Sequence, residues 1–241
     1  LRIPAPSFPA PYSDELADFI RGFPTRYRFR TPPEEQRLHL ALAKAAAQLG
    51  AGVDLRQRHG QWALTVVTPD RPRLLADLAG AIASFGMNIL KAEAFSNSRQ
   101  QVLDLFVFSD PHHTLELNPD IVEEFKDGIR RVISGQASPQ KLLQRRRTPQ
   151  LRRRLAIPRA LRFDNEASRH ATLLELQTHD RPALLYDVAR TIAAAGCEID
   201  TVLLHSEGQR AVDAFYLRQD NAKLPPDKIA SLDAALRIIL K

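Results

Sequence analysis

Residues 68–89 read TPDRPRLLADLAGAIASFGMNI, and residues 178–199 read THDRPALLYDVARTIAAAGCEI. The second stretch repeats the first at an offset of 110 positions. Twelve residues are shared: Thr68, Asp70, Arg71, Pro72, Leu74, Leu75, Asp77, Ala79, Ile82, Ala83, Gly86 and Ile89, each matched 110 positions on. Identity of that density across so long a gap implies a duplicated structural unit.

Each copy reads as a strand, a turn and a helix. WALTVVT (62–68) and ATLLELQT (171–178) are aliphatic and β-branched, which predicts strands. Asp-Arg-Pro follows. Proline suits the first helical position because its missing N–H has no intrahelical partner there. Asp70 and Asp180 stand just before it, where a carboxylate favours a helix N-terminus. Leu74, Leu75, Leu78, Ile82 and Phe85 recur at helical spacing, as do Leu184, Leu185, Val188 and Ile192. Gly86 and Gly196 are placed to stop the two helices.

Two further strands follow in each copy, at about 87–96 and 101–108 and again at about 197–206 and 210–218. A second helix closes each unit. In the first copy Asn118 is expected to cap it and Pro119 to open it. Pro225-Pro226 opens its counterpart. A leading strand precedes each copy, at 53–58 and 160–165, giving the order β-βαββα. That strand can take the edge that a closing fourth strand holds in a βαββαβ unit. The expected fold is α+β: two tandem ferredoxin-like units, each an antiparallel four-stranded sheet with two helices on one face. The corresponding division is a helical connector at 1–50, a first unit at 51–138, an Arg-rich linker at 139–159 and a second unit at 160–241. Ser13 can cap the first helix of the connector, and Pro32-Pro33 opens the second.

Composition narrows the function. The chain has 241 residues, 44% of them hydrophobic and 26% charged, which is ordinary for a globular chain. No 18-residue apolar run occurs, so neither a membrane span nor a signal peptide is expected. The chain begins at Leu1, which reads as a cut fragment. One cysteine, Cys197, leaves no disulfide framework and fits a reducing, cytoplasmic setting. Net charge is +6, yet residues 139–160 alone hold one Lys and seven Arg without an acid, leaving −2 for the rest.

The duplicated stretches resemble ACT domains, small ferredoxin-like modules that bind amino acids and regulate enzymes. FPTRYRFRTPPEEQRLHLAL (23–42) and RFDNEASRHATLLELQTHDRPALL (162–185) narrow the likeness. With the end of the chain at the second helix, they resemble the C-terminal third of bacterial PII uridylyltransferase/uridylyl-removing enzymes. The resemblance covers roughly residues 12–240 and implies a glutamine-sensing region that acts in nitrogen regulation on behalf of an enzyme modifying the PII signalling protein. The nucleotidyltransferase and HD phosphohydrolase domains of that family are not in this sequence. No Asp-x-Asp pair is present to hold magnesium, so Mg is expected only for the catalytic domain elsewhere, and this chain carries no catalytic residue, metal ligand or cofactor.

The resemblance also implies the site. Exposed N–H groups at a helix start suit an α-carboxylate. Asp70 or Asp180 is placed to meet the ammonium or the side-chain amide. Candidate contacts are Asp70, Arg71, Arg73, Leu74, Leu75, Asn88 and Ile89 in the first copy. In the second they are Asp180, Arg181, Ala183, Leu184, Leu185, Glu198 and Ile199. The usual ACT turn reads Asp-Arg-Pro-Gly, and here Arg73 and Ala183 replace the glycine. Ala183 is the smaller change, which favours the second turn. ACT–ACT pairing, within or between chains, is expected to form the pocket.

Other features read more plainly. His179-Asp180 is the dipeptide of HD hydrolases, but the first copy has Pro69-Asp70, so it is a strand end. His112-His113 has no companion ligands and reads as a loop. Cys197 falls where Met87 falls and reads as core. Asp104 and Asp213 recur in matching strands, which favours a fold role over ligand contact. The arginine triplets 145–147 and 152–154 lack interleaved aromatics, so a docking or solvated connector is preferred to nucleic-acid binding. The alternative function is a free-standing ACT-repeat binding or docking protein, with a nucleic-acid-associated regulator behind it.

Overall fold

The computed structural model describes residues 13–145, 158–204, 206–207 and 210–240. The arginines from 146 onward in the two triplets, and the proline-rich start, lie outside the described residues. Three helices come first: α1 (Asp14–Phe19), α2 (Thr25–Arg30) and α3 (Pro33–Leu49). The first unit runs β1 (Gly52–Arg58), β2 (Gln61–Pro69), α4 (Leu74–Ser84), β3 (Asn88–Ser96), β4 (Gln101–Ser109), α5 (Thr114–Leu117) and α6 (Pro119–Ile133). After α7 (Pro139–Arg145) the second unit runs β5 (Ala160–Asp164), β6 (Thr172–His179), α8 (Leu184–Ala194), β7 (Glu198–Leu203), β8 (Ser206–Glu207), β9 (Arg210–Arg218) and α9 (Pro226–Ile239).

Both sheets have the same order, β1-β2-β4-β3 and β5-β6-β9-β7, with β8 pairing onto β9. Every pairing is antiparallel. The leading strand occupies the edge in each unit, as the permuted order predicts. His59 and Gly60 both have positive φ (51° and 74°), the backbone a two-residue hairpin loop between β1 and β2 requires.

The two units are not independent bodies. Helix α4 lies against α8, and edge strand β3 runs beside β7. One continuous core contains Leu78, Ile82, Phe106 and Phe125 from the first unit together with Leu174, Val188, Phe215 and Leu232 from the second. Small residues allow the close helix approach: Ala76, Ala79, Gly80 and Ala83 are all buried on α4. A Cβ added at Gly80 meets the Tyr186 ring at 2.7 Å and Pro139 at 2.8 Å, so this glycine is the notch into which the second unit seats.

Several expectations need correction. Pro72 and Pro182 do not open their helices, which begin at Leu74 and Leu184. The prolines open a tight turn instead. Leu74 N–H donates to the Arg71 carbonyl (3.3 Å), and Leu184 N–H to that of Arg181 (3.1 Å). Asn118 flanks α6 but makes no capping bond; its amide donates to the Thr114 carbonyl at 3.2 Å. Ser13 does cap α1, accepting from Leu16 N–H at 3.3 Å.

The helices of residues 14–49 also do more than connect. Leu16, Phe19, Ile20, Phe23, Tyr27 and Ala43 form a second core with Val67, Phe95 and Leu103 on the outer face of the first sheet. The first sheet is therefore covered on both faces. Tyr27 is 1% exposed, and its hydroxyl shares a 2.9 Å hydrogen bond with His39 Nδ1. Burial pushes the His39 pKa down to about 4, so this histidine is neutral.

Candidate functional site

Local backbone explains the turn first. Arg73 (φ 69°, ψ 8°) and Ala183 (φ 60°, ψ 18°) both adopt the left-handed conformation. They occupy the third position of a Pro-containing turn that requires positive φ, where glycine is the least strained residue. The glycine of the usual motif thus has a conformational reason as well as a ligand-approach one. Neither α4 nor α8 has a capping hydrogen bond from its N-cap side chain, so its first turn keeps N–H groups without intrahelical partners.

The repeated arginines of the two turns are occupied. Arg71 bridges Asp77 Oδ2 (2.7 Å) and the Val132 carbonyl (3.2 Å). Arg181 bridges Asp187 Oδ2 (2.6 Å) and the Ile239 carbonyl (3.5 Å). Each therefore ties the start of one helix to the end of the other helix in its unit, and it explains why Asp77 and Asp187 are repeated. Arg73 turns toward Asp77 Oδ1 at 3.8 Å.

Around the second turn the two units converge on a cavity of about 30 Å³. Asp180, Arg181, Ala183, Leu184 and Leu185 line it from the second unit, and Asn88 and Ile89 from the first. The pairing is crosswise: the strand start of one unit serves the turn of the other. That volume has room for a water or two. Residues that sequence reading did not assign to it include Ala79, Ala83, Met87, Tyr186, Leu204, Ala211 and Asp213. At the start of β7, Glu198 is exposed and Ile199 half-buried, and neither lines this cavity.

Two acids underlie the turns. Register places Asp104 opposite Val66 and Ala94, both core residues, so its carboxyl points inward. It is 1% exposed, and neither oxygen has a hydrogen-bond partner. Burial, reinforced by the charge of Asp70, pushes its pKa up to about 8. Burial also raises the pKa of Asp70, opposed by a hydrogen bond from the Arg71 backbone. Asp213 holds the matching register position opposite Leu176 and is 5% exposed.

A larger cleft of about 380 Å³ lies between α2–α3 and the outer face of the first sheet. Its charges largely satisfy one another: Arg58 pairs with Glu35 (2.7 Å), Arg56 with Asp54 (2.7 Å) and Lys91 with Glu93 (3.2 Å). It lies apart from both turns. Among the described residues no cluster of His, Cys, Asp or Glu is arranged to hold a metal, and no helix is long and apolar enough to cross a membrane. His113 pairs with Glu116 at 2.8 Å, His179 ends β6, and Cys197 is buried.

The fold and its doubled turn define a pair of ACT-like units. The ACR9-like, ACT-like domain model matches residues 160–240. The bifunctional uridylyltransferase/uridylyl-removing enzyme of Caulobacter vibrioides is 36% identical over 187 residues, covering 75% of this chain and 20% of its own. The Rhodospirillum rubrum enzyme of the same name is 34% identical over 156 residues, covering 64% and 17%. That of Phenylobacterium zucineum is 35% identical over 187 residues, covering 74% and 20%. A crystal structure of aspartate kinase from Synechocystis is a distant likeness, with a TM-score of 0.40 and 15% identity over 75% of this chain and 27% of its own. The chain is a tandem ACT-like regulatory region resembling the C-terminal region of bifunctional uridylyltransferase/uridylyl-removing enzymes, and it spans about a fifth of the length of those relatives.

Proposed function

We propose that this chain is the amino-acid-sensing region of a PII uridylyltransferase/uridylyl-removing enzyme, with glutamine as the effector, acting in the cytoplasm in nitrogen regulation. The observation that carries the reading is the second turn, where a helix start, an aspartate and the partner unit's strand meet around one small cavity. An α-amino acid has a carboxylate for the helix N–H groups and an ammonium for Asp180. Its entry widens the cavity and shifts the balance between two dockings of the units, which is how binding reaches catalytic domains elsewhere. The PII protein is then a partner of the parent enzyme, and magnesium belongs to its catalytic domain.

Isothermal titration with glutamine, with glutamate and serine as controls, tests the reading. Saturable binding of glutamine alone, abolished by Asp180→Ala, is the expected result. Absence of both heat and thermal shift at millimolar glutamine sinks it for this chain.

A further inference from the structure

A pairing role for Asp104 within the fold would leave a partner in view, and none contacts its carboxyl oxygens. A buried carboxyl without a hydrogen bond is unfavourable by a few kcal/mol, and a neutral residue of similar size avoids that. Asp104 is retained all the same, and Asp213 stands at its register position in the equivalent strand, opposite Leu176 where Asp104 faces Val66.

Asp104 lies close enough to Asp70 to feel its charge. Asp180 and Asp213 line a single cavity, together with Leu185, Leu204 and Ala211. In each unit two acids, one on the turn and one on the strand beneath, thus sit beside a helix start whose N–H groups favour an anion. A ligand with an anionic and a cationic pole separated by one carbon meets both halves of that arrangement. Leu185, Leu204 and Ala211 lower the local dielectric, which strengthens a charge-assisted bond made there.

We propose that Asp104 and Asp213 are ligand contacts, each accepting a hydrogen bond from the ammonium group of an amino acid held at the turn of its own unit, with Asp70 or Asp180 as the second acceptor. This rests on the amino-acid reading of the site and adds the residues that select for the amine. The strand acids are the selectivity elements, and the turn is the anion-binding element.

The experiment compares glutamine with 4-carbamoylbutanoate, the same skeleton without the amine, by isothermal titration on the whole chain and on Asp104→Asn and Asp213→Asn. The wild type is expected to favour glutamine, and each variant to bind glutamine about tenfold to a hundredfold more weakly while losing preference over the analogue. Thermal melting of each variant separates this from misfolding, and for Asp104→Asn the melting temperature is expected to be unchanged or higher. A purely structural acid alters affinity for both compounds alike and leaves their ratio unmoved. Glutamine preference retained in both variants overturns the proposal while the sensing reading stands; a wild type that binds neither compound overturns both.

Discussion

The two units share a topology and a turn, but their sheets live in different surroundings. Strand β2 of the first unit is buried along nearly its whole length from Leu64 to Thr68, whereas the equivalent β6 alternates buried and more open positions. The reason is the layer of α1–α3 on the outer face of the first sheet, which the second lacks among the described residues. Leu203 (41% exposed) and Val212 (37%) stand on that open face. One duplicated unit has become a two-sided core; the other keeps the alternation of a one-sided sheet. Duplication fixes the turn chemistry, while neighbouring chain decides what each sheet buries.

The largest expected effect breaks this comparison directly. Phe19→Ala, which empties the second core, should cost about 3–5 kcal/mol of stability, while Val212→Ala on the open face should cost about 0.5 kcal/mol. Urea unfolding of the two variants reads the difference, and comparable losses would mean the open face is packed. The next effect distinguishes the strand acids from ordinary surface carboxylates. Asp104 has a folded pKa of about 8 against a usual value of 3.8. The folded state therefore holds the proton more tightly. The associated stability is complete below about pH 4, declines as pH rises and is lost by about pH 8. Relative to the wild type, Asp104→Asn should flatten this slope and raise the melting temperature at pH 8, a gain of a few kcal/mol. A wild-type pH profile parallel to that of the variant would show the carboxyl to be solvated.

The unit interface gives a smaller effect. Gly80→Ala should lose about 1–3 kcal/mol by forcing Tyr186 and Pro139 outward, whereas Arg190→Ala at the corresponding position of α8 should be close to neutral. Equal melting temperatures for these two variants would argue against the notch. The smallest effect sharpens the contrast between turns. Ala183→Gly relieves a left-handed residue and should stabilise by about 0.5–1 kcal/mol. Arg73→Gly should gain less, because it also removes the contact with Asp77. Differential scanning calorimetry ranks the pair.

Much of this was legible in the residues. The aliphatic periodicity around the Asp-Arg-Pro turns gave the strands and helices of both units, and the recurring Asp104 and Asp213 marked matching strands. The short helices α2, α5 and α7 span six, four and seven residues, too few to display a period. The docking of α1–α3 was hidden for another reason. Strand β2 is apolar on both faces, which sequence reading takes simply as a strand, without naming what covers the second face. In the site, the turn residues were readable because they repeat. The contribution of Asn88 and Ile89 to the opposite unit was not, since it depends on α4 crossing α8 through a glycine notch. The bracing done by Arg71 and Arg181 was likewise not readable: their guanidinium groups reach Asp77, Asp187 and the ends of α6 and α9, far along the chain.

The core that runs without interruption from Phe125 to Leu232 has a thermodynamic consequence. Two modules joined by a polar seam can melt one after the other. Two that share their buried side chains lose them together, so heating should give a single sharp transition whose calorimetric and van't Hoff enthalpies agree. Amides in β4 and β9 should then exchange with solvent only through that common opening. On the sensing role proposed above, an effector would act on how tightly the halves are clasped, and its message would be a change of fit within one cooperative unit.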